Sequence, residues 1–314
     1  MRRFVLQQRL LTESPDARAI IQTYHYSASE EPFPCLPLLA CRMFGGSDER
    51  ALPLTGAYYL TNLASEVLDD HMDGEPNKLW SQWGGSRTTL AAVDLLMLSQ
   101  ACLAQTPVNA DVLREVTERF SEAVLITSSG QRKSVQRVDS IDAYWRQAIE
   151  KSGAAFAFGM WSGARIADAS PQELDAASRF GAKLGVLSQV MDDVIDFMSS
   201  ETNIRGASFE FENALPVVLA LASTHEHNAV LREKLRTPTQ ERTNEWYQGV
   251  RRLVLELQGL SLALTLGRQY RDELLDGLNQ MGPGQGIELR EHIDVLTAII
   301  RRIDAVDVDR NLST

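Results

Sequence analysis

Apolar residues return every three or four positions along most of this chain, and runs that alternate at strand spacing are missing. Residues 51–72 show the pattern: Leu54, Ala57, Tyr58, Leu60, Leu63, Ala64, Val67 and Leu68 fall on one stripe of a helix. The same spacing predicts helices over 88–104, 110–126, 142–167, 172–199, 213–224, 243–277 and 286–306. Breaks are expected at Pro32-Phe33-Pro34, Gly84-Gly85, Thr106-Pro107, Ser128-Ser129-Gly130, Ser170-Pro171, Thr237-Pro238 and Gly282-Pro283-Gly284. Ser170-Pro171-Gln172-Glu173 reads as a helix start, with Ser as N-cap, Pro in the first turn and Glu placed to bond back. A helix with one apolar stripe must bury it against other helices. The expected fold is therefore all-α, a single-domain bundle of about ten helices over residues 1–314 with short connections.

The 314 residues, 44% of them hydrophobic, suffice for a substantial core. A net charge of -11 argues against binding nucleic acid through its phosphates, and an anionic ligand would need locally supplied cations. Cys35, Cys41 and Cys102 lack metal-type spacing and sit among apolar neighbours, so they read as buried, reduced thiols. The apolar run Phe4-Val5-Leu6 is too short for a signal peptide, and no stretch is long enough to span a membrane. The expected location is cytoplasmic.

Against this helical background two acidic clusters stand out. In LDDHMDGE, Asp69 and Asp73 fall four apart on one helix face with Asp70 beside them. Carboxylates so close repel one another unless a cation intervenes. Alone, the cluster reads equally as a solvated helix end, and the alternating oxygens and central Gly of an EF-hand are missing. The second cluster decides. GVLSQVMDDVIDFMSSE repeats the DDxxD spacing at Asp192, Asp193 and Asp196, amid Val186, Leu187, Val190, Met191, Val194, Ile195 and Phe197. Three aspartates without a cation would be costly in such surroundings. Two DDxxD helices facing each other across a bundle would hold Mg²⁺, with Asp69, Asp73, Asp192 and Asp196 as ligands, and such ions help a diphosphate leave.

These motifs resemble the trans-isoprenyl (polyprenyl) diphosphate synthase superfamily, all-α enzymes in which two Asp-rich motifs line a central cavity. The resemblance covers roughly residues 35–220. LPLLACRMFGGSDERALPLTGAYYLTNLASEVLDDHMD is similar to the segment leading into the first motif. TTLAAVDLLM, with Asp94, and SSGQ, with Gly130 and Gln131, resemble later family stretches. In YWRQAIEKSGAAFAFGMWSGARIADAS, Lys151 and Ser152 stand in the places of the family's Lys-Thr pair, and Gln189 stands in the place of its Gln before the second motif. The resemblance implies a prenyltransferase acting on an allylic isoprenyl diphosphate. All six aspartates would be catalytic, and Lys151, Gln189, Arg87 and Arg205 would be candidates for the diphosphate, with Lys78 a further cation; Lys183 is assigned to the surface. A homodimer is also implied, with 88–104 as a candidate interface.

The departures point away from ordinary chain elongation. The family's Gly-Gly-Lys-x-x-Arg segment corresponds to SASEEPFPCLP, which has no Lys or Arg. The arginine pair after the first motif is replaced by GEPNKLW, and Gly-Lys-x-Thr-Leu-Pro by FENALP, with Glu212 in place of the lysine. A second diphosphate needs several cations, so the acceptor is expected to differ from isopentenyl diphosphate.

Two branches of the superfamily fit that expectation. ComQ-type enzymes prenylate a small peptide, and Glu75, Asn77, Leu79 and Trp80 resemble the segment after their first motif. Terpene cyclases of this fold are the alternative, with Phe156, Phe158, Trp161 and Trp145 as candidate lining. Dedicated cyclases, however, carry Asn/Asp, Ser/Thr and Glu at four-residue steps, whereas the steps from Asp193 reach Phe197 and Glu201. Ordinary chain elongation and a non-catalytic regulatory subunit complete the alternatives. Ala64 and Ser65, small residues one turn before Asp69, would admit a C15 or longer donor.

Overall fold

The computed structural model describes residues 1–24, 33–74, 78–134, 136–138, 140–198, 210–238 and 241–280. Among them the regular structure is helical, without a strand. In chain order the helices are α1 (Arg2–Leu6), α2 (Pro15–Thr23), α3 (Leu36–Met43), α4 (Asp48–Asp73), α5 (Gly85–Leu103), α6 (Ala110–Ser134) and α7 (Ile141–Ala148). They continue as α8 (Ala154–Ile166), α9 (Pro171–Met198), α10 (Glu210–Asn213), α11 (Leu215–Leu221), α12 (Asn228–Lys234), α13 (Asn244–Glu256) and α14 (Gly259–Gln280). A π turn, Ile149–Gly153, joins α7 to α8. The all-α expectation is met, and no described helix is long and apolar enough to cross a membrane.

The chain divides into two compact units. Among the described residues the first is drawn from 1–123 and 156–181, the second from 124–155 and 182–280. In the first, α4 lies along α5 and α3 packs on α4. Ser47 caps α4, accepting from Arg50 N at 3.4 Å, and Asp48 and Glu49 follow in the first turn, where their charge complements the helix dipole. Gly74 ends the helix at φ 72°, a conformation that favours glycine. In the second, α11 packs on α14 and α13, and α7 meets the π turn.

Several expected boundaries move. Ser128-Ser129-Gly130 does not end its helix: α6 runs on to Ser134. Gly130 serves close approach instead, since a Cβ there would come within 2.5 Å of Lys151 N. The helix expected over 142–167 is interrupted by the π turn, and that over 213–224 breaks at Ala214, whose ψ is 136°. The helix expected over 243–277 is two, divided at Gln258 with φ 59°. Gly259 then lets α14 begin against the Pro216 carbonyl. The capping box forms as read: Ser170 N and Oγ both donate to Glu173 Oε2 at 2.7 Å. The segments 286–306 and Gly282-Pro283-Gly284 lie outside the described residues.

Cys41 and Cys102 are buried and Cys35 is half-buried; none of the three is joined in a disulfide. Burial pushes the Cys41 thiol up to about 11 and that of Cys102 to about 12, which leaves both protonated and unreactive near neutral pH.

Candidate active site

The first acidic motif occupies the C-terminal turns of α4. Asp69 and Asp70 are half-exposed, and Asp73 is the last helical residue. Lys78 Nζ lies 3.7 Å from Asp70 Oδ2 and 5.4 Å from the centre of the Tyr24 ring. The Tyr24 hydroxyl donates to Glu66 Oε2 at 3.4 Å, one turn before Asp70. Lys78, one of the cations weighed from sequence, thus stands beside the motif. Arg87 does not join it: its guanidinium makes a two-pronged bond to Asp16 at 2.8 and 2.6 Å and lies over the Trp83 ring. Asp94 accepts from Ser14 Oγ at 2.5 Å and so ties α5 to the start of α2.

The second motif is set differently. Asp192 and Asp196, one turn apart on α9, are exposed. Asp193 turns into the protein and receives three hydrogen bonds. Tyr144 Oη donates to its Oδ2 at 2.7 Å, Leu215 N to the same oxygen at 2.8 Å, and Gln189 Nε2 to Oδ1 at 2.8 Å. Ser152 Oγ donates in turn to Gln189 Oε1 at 2.9 Å. Burial pushes the Asp193 carboxyl above the usual carboxylate value, while those donors and the nearby charge of Lys151 pull it back. Burial, reinforced by the Asp193 charge, holds the Tyr144 phenol well above its ordinary value, so it remains a donor.

The surroundings of this motif are built by close backbone approaches. The π turn carrying Lys151 and Ser152 is wedged between Gly130 of α6 and Gly185 of α9, where a Cβ would sit 2.6 Å from the Ser152 carbonyl. Such π turns recur at functional sites. Asn213 secures the loop before α7, accepting from Val138 N at 2.8 Å and donating to Gln136 O at 2.7 Å. Glu212, at the position where the resemblance places a lysine, is buried. Its carboxylate faces Arg242 Nη1 at 2.5 Å and Arg137 Nε at 3.9 Å.

Other sequence candidates take ordinary places. Phe158 and Trp161, considered as cavity lining, are buried in a ring cluster with Phe120 and Tyr58. Trp145 lies against Tyr270, and Phe156 against Phe33. Trp80 is buried beside Tyr24. Ala64 is fully buried and Ser65 exposed, and Lys183 pairs with Glu273 at 2.5 Å. Arg205, Glu75 and Asn77 lie outside the described residues. Tyr144 was missed from sequence; the only signal was an aromatic on the buried face of a short amphipathic helix, which reads as core.

Among the described residues no three His, Cys, Asp or Glu side chains converge as a ready-made metal cage. Mg²⁺ does not require one, because it is held by one or two carboxylates and completes its shell with water and substrate phosphates. Exposed carboxylates one turn apart, as at Asp192 and Asp196, are donors of that kind.

The family model described as Polyprenyl synthetase matches residues 26–250. The chain is 26% identical over 223 residues to a nonaprenyl diphosphate synthase of Mycobacterium tuberculosis, a match covering 66% of this chain and 64% of that protein. It is 24% identical over 293 residues to a geranylgeranyl diphosphate synthase of Sulfolobus acidocaldarius, covering 85% of this chain and 87% of the relative. A crystal structure of polyprenyl synthase from Caulobacter crescentus, complexed with calcium and isoprenyl diphosphate, superposes with a TM-score of 0.77 at 21% identity, covering 95% of this chain and 91% of the other.

Proposed function

The chain belongs to the polyprenyl synthetase family, and on that premise we propose that it ionises an allylic isoprenyl diphosphate with Mg²⁺ and transfers the prenyl group. The relatives above are named as prenyl diphosphate synthases, that is, as prenyltransferases. The observation that carries the reading is the second motif, with Asp192 and Asp196 exposed, Asp193 held by three donors, and Lys151 near it on a π turn. Asp192 and Asp196 of the second motif would hold ions, and Asp69 and Asp73 are the corresponding candidates of the first motif. Bound Mg²⁺ supplies charge neutralisation to the departing diphosphate. Lys151 would add positive charge of this chain's own beside the second motif.

The acceptor is the finer question, and here Glu212 carries weight. A buried carboxylate between two arginines cannot serve as the cation that a lysine would have been. Together with the segments lacking Lys and Arg, this supports an acceptor other than isopentenyl diphosphate, such as a small peptide. Elongation is the second reading, favoured by the names of the relatives. Homodimerisation is part of the proposal, supported by Leu90, Val93 and Met97, which stay exposed along one stripe of α5.

Purified protein with Mg²⁺ and farnesyl or geranylgeranyl diphosphate, with and without labelled isopentenyl diphosphate, separates the readings. The proposal expects Mg²⁺-dependent diphosphate release with little incorporation of label. Efficient incorporation would establish elongation, and a cyclic hydrocarbon or terpene alcohol from the donor alone would establish a cyclase.

A further inference from the structure

We propose that Tyr144 is a positioning residue for the second acidic motif: by locking Asp193 as a scaffold carboxylate, it leaves cation binding to Asp192 and Asp196. This deepens the functional reading above and rests on it.

The three aspartates share one helix and one spacing, yet Asp192 and Asp196 are exposed whereas Asp193 is turned into the protein and receives three donors. An ionised carboxylate offers about four lone-pair directions. At Asp193 three are taken by Tyr144 Oη, Leu215 N and Gln189 Nε2. Each donor belongs to a different piece of the fold. Leu215 opens α11, and its N–H is among the amides that a helix leaves without an internal partner. Ala214, at the N-cap of α11, has no side-chain oxygen to offer, so Asp193 supplies the capping acceptor from another helix. Gln189 lies one turn earlier on α9 and is itself fixed by Ser152 of the π turn.

Tyr144 completes the set from α7. Positions 144 and 152 are eight apart, which in a regular α-helix leaves them about 80° out of phase. The π turn between them adds a residue to one turn, so that both serve the same group: Tyr144 directly, Ser152 through Gln189. Tyr144 is buried and meets Trp145 edge-on, and Trp145 in turn lies against Tyr270. Its hydroxyl donates to Asp193, and the bond fixes the α9 turn on which Asp192 and Asp196 stand. Residues that orient metal ligands from behind typically change metal affinity or activity by ~10- to 100-fold when removed.

The test is Tyr144→Phe, which keeps the ring and removes the oxygen. Wild type and variant are titrated with Mg²⁺ in the presence of inorganic diphosphate, with the rise in Tm as readout; Mg²⁺-dependent diphosphate release from farnesyl diphosphate is measured alongside. The proposal expects the half-saturating Mg²⁺ concentration to rise ~10-fold in both assays, with the metal-free Tm lowered only modestly. A lowered metal-free Tm with an unchanged Mg²⁺ response would make Tyr144 merely structural and overturn the proposal. Should Tyr144→Phe fail to fold, Gln189→Met removes another donor to Asp193 and is held to the same two outcomes. If wild type shows neither stabilisation by Mg²⁺ and diphosphate nor diphosphate release, the functional reading falls and this proposal with it. A wild-type response matched by the variant sinks the positioning role alone.

Discussion

The two DDxxD motifs have the same letters at the same spacing, and their surroundings make different use of them. In the second, the middle aspartate is drawn into the protein by donors from α7, α9 and α11, and its neighbours stay exposed. In the first, the middle aspartate meets the Lys78 side chain at 3.7 Å, and the helix ends three residues later at Asp73, followed by a left-handed glycine. One motif is clamped from behind by hydrogen bonds, the other flanked by charge. Spacing chooses which residues share a face; the neighbours decide what each carboxylate does.

Breaking the clamp should give the largest effects. Asp193→Ala leaves the Leu215 amide, the Tyr144 hydroxyl and the Gln189 amide without their acceptor. Leaving buried donors unsatisfied costs about 1–3 kcal/mol, so a denaturant titration should show a loss of at least that size, and diphosphate release should fall with it. Asp70→Ala removes a partially exposed partner of one lysine and should cost less stability in the same titration.

Glycine substitutions sharpen the contrast. Gly185→Ala drives a Cβ to 2.6 Å from the Ser152 carbonyl, a backbone atom that cannot step aside. Such overpacking costs about 1–3 kcal/mol, and the distortion lands on the π turn that carries Lys151. Gly74→Ala meets no neighbour but imposes the left-handed conformation on an alanine, at about 1–2 kcal/mol. Thermal melts should show both losses, and diphosphate release measured under folded conditions should respond more strongly to Gly185→Ala. Equal responses would remove the distinction between a clamped and a flanked motif.

The smallest effect belongs to a surface pair unrelated to either motif. Arg50 holds the Asp168 carboxyl below its usual value through a hydrogen bond at 2.7 Å. A carboxyl lowered in the folded state stabilises above its unfolded pKa, and that contribution is lost as the pH falls through the folded value. Asp168→Asn should therefore cost no more than about 1 kcal/mol at neutral pH, as exposed pairs do, and the difference from wild type should vanish in acid.

Much of the fold was legible because helix burial writes itself into sequence at 3.6-residue spacing: α4, α5 and α9 fall within a few residues of the expected spans. The misplaced features share a cause. Gly130 reads as a breaker because glycine ends many helices, yet here it makes room for Lys151 N, a partner 21 positions away that no local pattern reveals. The break at Gln258 has neither Gly nor Pro at its positive φ. At the candidate site, the acidic positions stood out as charge among apolar neighbours. The division of labour between Asp193 and its neighbours did not, because it depends on Tyr144 and Leu215, which lie 49 and 22 positions away.

The central claim is that exposed aspartates of the second motif serve a Mg²⁺-dependent ionisation. Release of inorganic diphosphate from farnesyl diphosphate, followed as Mg²⁺ is raised, tests it in one comparison between wild type and Asp192→Asn. The account predicts release that rises with Mg²⁺ in wild type and is depressed at least ~10- to 100-fold in the variant, the loss expected even for a residue that only supports a metal ligand. Release that proceeds equally in both proteins, or without Mg²⁺, would contradict it.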